Sequence, residues 1–306
     1  MYTMPPTLNA RVFARLPDAL RVTDRSNEWT RSRAVQHGAP TSFLEGPSFD
    51  RSGRLYCTDI PYGRIFRIDT AGQFEVVAQY DGEPNGLRIH KDGRIFIADH
   101  KNGLMILDPE SGKVEPFFTR PHAERFKGLN DLTFASNGDL YFTDQGQSGL
   151  QDPSGRLFRL TAQGRLNLLL DNIPSPNGLV LDAAESTVYL NVTRMNAVWR
   201  VPLDAERGVG KVGVYVYLSG GVGPDGATMD SEGNLLVAHT GRGTVWVFDA
   251  YGEPILRVLS PTRGGRTTNL AYGGPDMKSL YITESNTGQI LVADMPVAGR
   301  PLFSHQ

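Results

Sequence analysis

Polar and apolar positions alternate along most of this chain in short runs of period two, and the runs fall into a unit that returns six times. Each unit opens on a polar residue, passes a Gly- or Asp-containing turn, and continues in an aliphatic or aromatic run that itself ends on a polar residue. In order, the openings are LEGPSFDRSGRLYCTD from Leu44, PNGLRIHKDGRIFIADH from Pro84 and LNDLTFASNGDLYFTDQ from Leu129. PNGLVLDAAESTVYLNV from Pro176, PDGATMDSEGNLLVAHT from Pro224 and TNLAYGGPDMKSLYITES from Thr268 complete the set. Turns such as Arg51-Ser52-Gly53 and Ser136-Asn137-Gly138 end in Gly, as a tight hairpin with a positive φ requires. A third strand follows in most units, for example RIFRID from Arg64 and TVWVFD from Thr244. The opening polar residues Glu45, Asn85, Asn130, Asn177, Asp225 and Asn269 are separated by 40, 45, 47, 48 and 44 positions. A period in the forties with about four strands per unit predicts an all-β fold, a six-bladed β-propeller of four-stranded antiparallel blades around a central channel.

No long window carries helical periodicity and no βαβ alternation appears, which disfavours parallel-sheet folds. Residues 1–306 therefore read as a single propeller domain with blades starting near 43, 84, 129, 176, 224 and 267 and running to the C-terminus. Residues 1–42 form an N-terminal segment that closes the ring, through Val12-Phe13-Ala14 or Leu20-Arg21-Val22. The charge balance, 31 Lys and Arg against 33 Asp and Glu, gives no field that would steer the chain to nucleic acid or to an anionic membrane. The one cysteine, Cys57, excludes an intrachain disulfide and reads as a buried strand residue. Neither a leader-like apolar run near the N-terminus nor a span of about 20 apolar residues is visible, so a cytoplasmic monomer or homodimer is expected.

In such a ring the first strand of each blade lines the channel, and its start lies beside the end of the second strand. The six polar openings should therefore meet on one face, together with Asp59, Asp99, His100, Asp144, Gln145, Thr193, His239, Thr240 and Glu284. Unpaired carboxylates near a channel axis are costly, and a bound cation removes that cost. Oxygen donors of this kind suit a hard divalent ion, calcium first, then magnesium, manganese or zinc. Two carboxylates, Glu45 and Asp225, with carboxamides such as Asn130 and Asn177, balance one doubly charged ion.

LEGP in the first unit, LND in the third, PNG in the fourth, GPDG in the fifth and TTNLAYGG in the sixth stand in order at blade spacing. With these motifs the chain resembles the senescence-marker-protein/gluconolactonase/luciferin-regenerating-enzyme family, including the drug-responsive bacterial lactonases, from Leu44 to about Ala293. The resemblance implies one metal ion held by Glu45, Asn130, Asn177 and Asp225, with Asp225 acting as general base or nucleophile. It also suggests that Asp131 orients Asn130 from behind. The related diisopropylfluorophosphatases share the pattern around EGPSFD and LND. Members acting on sugar lactones carry an Arg two residues before the third-blade Asn; here that position is Gly128, and the stretch RFKGLNDLTF looks more like the drug-responsive lactonases.

Opening of a lactone ring by metal polarisation of the carbonyl and Asp225-assisted attack of water is the activity these features imply. Asn85, His100, Gln145 and His239 share the proposed face and are expected to contact substrate. No G-x-S-x-G elbow offers a rival nucleophile. A phosphotriesterase of the diisopropylfluorophosphatase type keeps the same metal with a different reaction. A non-catalytic propeller that binds a protein on this face is the third possibility.

Overall fold

The computed structural model describes residues 4–33, 40–204, 208–262 and 265–305. Six antiparallel sheets are arranged as the blades of a propeller, the first four laid down strand by strand from the axis outward. In blade one the order is Leu44–Phe49, Leu55–Asp59, Arg64–Ile68 and Phe74–Gln79. The inner strands of blades two to six are Pro84–Ile89, Leu129–Phe134, Pro176–Leu181, Gly223–Met229 and Thr267–Gly273. Among the described residues no helix is long and apolar enough to cross a membrane.

Ring closure uses the first of the two expected segments. Arg11–Arg15 pairs antiparallel with Gln289–Asp294 and supplies the outer strand of blade six. Just before it, Thr7–Asn9 runs parallel to Pro254–Leu259 and adds a fifth strand to blade five. One short segment thus ties two blades. Leu20-Arg21-Val22 is not a strand: Pro17 leads into a single 3-10 turn at Asp18–Leu20, and Arg21 reaches back to donate 2.6 Å to the Thr287 carbonyl.

Hydrophobic burial sits between blades rather than on the axis. Tyr56 and Ile65 of blade one pack with Leu87, Ile95 and Ile97 of blade two. Phe96 and Leu104 of blade two meet Leu132, Phe142 and Phe158 of blade three, where Phe142 and Phe158 stack at 5.4 Å. The last cluster joins Ala271 and Ile290 of blade six to Leu44, Leu55 and Phe66 of blade one, and it contains Cys57, whose thiol is pushed up by burial. Fully burying each Leu, Ile or Phe is worth about 1.5–3 kcal/mol, so the blade-to-blade clusters carry the apolar stabilisation. The axis is left free for polar side chains.

The chain beyond Asp294 departs from the expectation that blades continue to the C-terminus. Instead it crosses one mouth of the channel. Arg300 donates to the carbonyls of Leu181 and Asp182 at 3.1 and 2.7 Å, and its amide donates to Met229 at 3.1 Å. Phe303 stacks on Phe134 at 4.9 Å, and Arg51 donates 2.8 Å to the Ser304 carbonyl. Blades one, three, four and five are all held by this strap. Ligands must therefore approach from the opposite mouth.

Candidate metal centre

Every inner strand carries a β-bulge at the same place. In blade three Leu129 pairs with Asp144 but Leu132 with Phe142, so Asn130 and Asp131 together face the single residue Thr143 on the neighbouring strand. The same slip separates Glu45 from Ser48, Pro84 from Leu87, Pro176 from Leu179, Pro224 from Ala227 and Thr267 from Leu270. A bulge re-aims side chains that a flat strand would send to opposite faces. Two consecutive residues per blade therefore border the channel.

This register makes Thr268 the blade-six counterpart of Glu45, Asn85, Asn130, Asn177 and Asp225. Asn269 matches Asp131 instead and lies one step deeper, so its place among the openings is corrected. The deeper ring is Gly46, Gly86, Asp131, Gly178, Gly226 and Asn269. Six side chains do not fit there: a Cβ on Gly86 would lie 2.2 Å from Asp131 Oδ1, and one on Gly226 would lie 2.1 Å from Asn269 Oδ1. Four glycines make way for two polar side chains that fill the axis.

Those two form the floor of the site. Asn269 Nδ2 donates to Glu45 Oε2 at 3.0 Å and to Asp131 Oδ2 at 3.1 Å. Glu45 Oε2 also accepts the Gly46 amide at 2.7 Å. Asp131 faces Arg88, whose guanidinium is 3.9 Å away and itself buried. Arg88 is the lone arginine at its position across the six inner strands, where the other blades place Ser48, Thr133, Val180, Thr228 and Ala271. An Arg in an otherwise apolar or small-residue strand position was the available signal for it.

Above the floor, Glu45, Asn85, Asn130, Asn177 and Asp225 border one cavity of about 740 Å³ that opens at the mouth opposite the C-terminal strap. All five are buried. Asn130 Nδ2 donates to Gln145 Oε1, and Asn177 Nδ2 to Thr193 Oγ1, both at 3.2 Å. The Asn177 amide also donates to the Asp225 carboxylate, and the carbonyl oxygens of both carboxamides accept no hydrogen bond from a described residue. Gln145 in turn donates to Ser175 Oγ at 2.9 Å, which pins blade three to blade four. The partner of Asn130 is thus Gln145; the Asp131 side chain is turned toward Asn269 and Arg88, away from the orienting role expected of it.

The electrostatics are those of an acidic pair that its neighbours compensate only in part. Burial, followed by the charge of Asp131, pushes the Glu45 carboxyl up to about 8. Burial and then the charge of Glu45 raise Asp225 well above the usual carboxylate range; a hydrogen bond from Asn177, and behind it the charge of Arg266, oppose this only in part. Among the described residues no three His, Cys, Asp or Glu side chains converge as a metal set. A cation here must draw part of its shell from the carboxamide oxygens. Two buried acids, two free amide oxygens and no thiolate or imidazole make a donor set that fits one hard divalent ion.

His100 borders the same cavity, and its ring fills the space over Gly128: a Cβ there would lie 2.3 Å from His100 Cε1. His239 does not reach the cavity. It is fully buried, Trp246 Nε1 donates to its Nδ1 at 3.1 Å, and its Nε2 lies 2.8 Å from the Gly220 carbonyl. Accepting at Nδ1 makes Nε2 the protonated nitrogen, and burial lowers its pKa. A neutral packing histidine replaces the expected substrate contact.

The acids at the ends of the second strands also turn away. Asp59 accepts the Phe43 amide, Asp99 those of Glu83, Lys101 and Asn102, Asp144 that of Gly128, and Glu284 those of Arg266, Asn286 and Thr287. Each clasps the loop entering its own blade's inner strand. Such clasps satisfy loop amides that have no ladder partner. Unforeseen in the sequence are the aromatic wall of Trp29 and Phe43, 5.1 Å apart edge to face, and two rim arginines, Arg194 and Arg266.

The family model described as the SMP-30/gluconolactonase/LRE-like region matches residues 43–286. Lactonase drp35 of Staphylococcus epidermidis is 31% identical over 233 residues, covering 72% of this chain and 70% of the relative. The crystal structure of a calcium-binding protein, regucalcin, from Agrobacterium tumefaciens superposes with a TM-score of 0.78 at 25% identity, covering 99% of this chain and all of the other (100%). A gluconolactonase from Xanthomonas campestris shares the fold with a TM-score of 0.74 at 20% identity, over 94% of this chain and 98% of its own.

Proposed function

The chain belongs to the SMP-30/gluconolactonase/LRE-like family, and on that premise we propose that it is a divalent-metal-dependent lactone hydrolase whose general base is Asp225. The observation that carries the proposal is the convergence of two buried, only partly compensated carboxylates and two carboxamides braced by Gln145 and Thr193 on one open cavity. Glu45, Asn130, Asn177 and Asp225 would hold the ion, calcium by donor chemistry and by the calcium binding of the regucalcin relative. A bound divalent ion supplies Lewis-acid polarisation of the lactone carbonyl and lowers the pKa of water beside it.

The chain's own residues do the rest. Asp225, ionised once its charge is balanced, takes a proton from the attacking water. The water oxygen bonds to the carbonyl carbon, the ring C–O bond breaks, and the departing ring oxygen takes the proton held on Asp225 and leaves as a hydroxyl, which returns Asp225 to its carboxylate. The product is a hydroxy acid. Gln145 and Thr193 hold the two carboxamides in rotation, while Asn85 and His100 border the space where ring substituents would lie. The strap across the far mouth keeps water exchange to one side.

Two measurements test this. Exhaustive chelation should abolish hydrolysis across a lactone panel, and calcium should restore it; unchanged turnover in metal-free protein would exclude the mechanism. The same panel run beside a fluoride-release assay separates lactonase from phosphotriesterase. Stability should follow the buried acids. Because burial raises Glu45 to about 8, stripped protein keeps that group's contribution below about pH 4.5 and loses it as pH rises through 8. The thermal midpoint of the stripped protein should therefore fall between pH 5 and pH 8.5, and saturating calcium should flatten the fall.

A further inference from the structure

The charge layout of the cavity points to a narrower class of substrate. Its acidic side chains lie at the bottom: Glu45 and Asp225 at the cation position, with Asp131 below them against Arg88. A divalent ion cancels the first two, and Arg88 offsets the third. Two arginines then dominate the rim. Arg194 is exposed on the 3-10 turn Thr193–Met195, and Arg266, half-buried, enters the inner strand of blade six. Neither makes an ion pair with a described residue.

Arg266 is held ready for a ligand. Its amide is anchored on Glu284 Oε1 at 3.2 Å, and its guanidinium carbon lies 5.9 Å from the centre of the Phe43 ring. Its charge also reaches Asp225. A guanidinium that makes no close ion pair with a described residue, set in a wall beside a water-attack site, is suited to grip a carboxylate through two parallel N–H donors. Opposite it the wall is built from neutral donors and acceptors, Gln145, Gln147, Ser148 and Gln151, which suit ring hydroxyls but do not require charge.

We propose that the substrate is a lactone bearing a carboxylate, and that Arg266 selects it by binding that carboxylate while the ring carbonyl lies at Asp225. This rests on the lactonase reading and narrows it. The discriminating pair is 5-oxotetrahydrofuran-2-carboxylate and its carboxamide, alike in ring and size and different in charge. Wild type should open the anion with a kcat/KM at least about tenfold above the amide, and the margin should shrink as salt rises. Arg266→Gln should bring the ratio toward one, and Arg266→Lys should restore part of it, since the point charge remains without the fork.

A ratio near one in wild type, or the same ratio in wild type and Arg266→Gln, overturns the proposal. Calorimetric binding of 2-hydroxyglutarate, the ring-opened product, separates the two layers of the account. If wild type opens neither lactone yet binds 2-hydroxyglutarate about tenfold more tightly than Arg266→Gln does, the hydrolase reading falls and the carboxylate site stands. Equal binding by the two proteins removes the carboxylate site.

Discussion

Asp225→Asn should lower lactone opening by at least about 10³-fold and, in chelator-stripped protein at neutral pH, raise the melting temperature by a few degrees. The first effect is the loss of the proton acceptor, typically worth about 10²–10⁴-fold, together with one charged contact to the ion. The second has the opposite sign because the native carboxylate is a liability without its cation. Burial and the neighbouring Glu45 both raise its pKa, so the stripped fold must either bury a charge or take up a proton at a neutral pH where the unfolded chain would not. A neutral amide of the same shape removes that demand. Residues serve function at the expense of stability when an active site is built this way. Activity assays and thermal melts on the same preparations check the pair of outcomes; a stripped variant that melts lower than stripped wild type would show Asp225 to be a structural partner.

Gly178→Ala should be a strongly damaging conservative change in the channel. A Cβ at this position would lie 2.4 Å from the Asp225 carbonyl, 2.6 Å from Gly226 Cα and 2.9 Å from the Ala227 amide. All three are backbone atoms of the neighbouring inner strand, so no side-chain rotation relieves the contact. Asn191 Nδ2 already holds the same Asp225 carbonyl at 2.6 Å, which limits retreat. Overpacking of this kind costs about 1–3 kcal/mol, and relief by shifting blade five would carry Asp225 away from Glu45. The expected result is a folded protein with a reduced denaturation midpoint and calcium affinity lowered at least tenfold, read by urea titration and calorimetry. Gly164→Ala, whose added Cβ meets nothing within 4 Å, is the control for the melt, although its positive φ makes it mildly unfavourable.

The blades were legible because their grammar is local. A Gly turn, an alternating strand and a polar opening recur at a spacing that only a repeated sheet explains, and LEGP, LND, PNG and GPDG carried the family resemblance. The closing strand at Val12-Phe13-Ala14 was legible by its alternation, whereas Leu20-Arg21-Val22 was misread because Pro17 and the long reach of Arg21 to Thr287 act through geometry rather than pattern. The off-by-one placement of Asn269 has a single cause. A β-bulge adds a residue without changing its neighbours' character, so Thr268 and Asn269 are both plausible openings until the pairing of Thr267 with Glu284 is seen.

Other contacts link positions too distant for any pattern to join. Asn269 meets Glu45 across 224 positions of chain, and Arg51 meets Ser304 across 253. His239 read as a site residue because its strand end lies on the right face, yet its fate was decided by Trp246 and the Gly220 carbonyl. The clasping acids Asp59, Asp99, Asp144 and Glu284 were grouped with the site for the same reason. Their spacing was right, but their oxygens were already taken by loop amides.

Calcium titration of the stripped protein at neutral pH, followed by isothermal calorimetry, tests the convergence of Glu45, Asn130, Asn177 and Asp225 most directly. The arrangement predicts one ion per chain in wild type, release of protons on binding as Glu45 ionises, and loss of at least about 100-fold in affinity in both Glu45→Gln and Asp225→Asn. A wild-type protein that takes up no divalent ion, or binding that both substitutions leave unchanged, would contradict it.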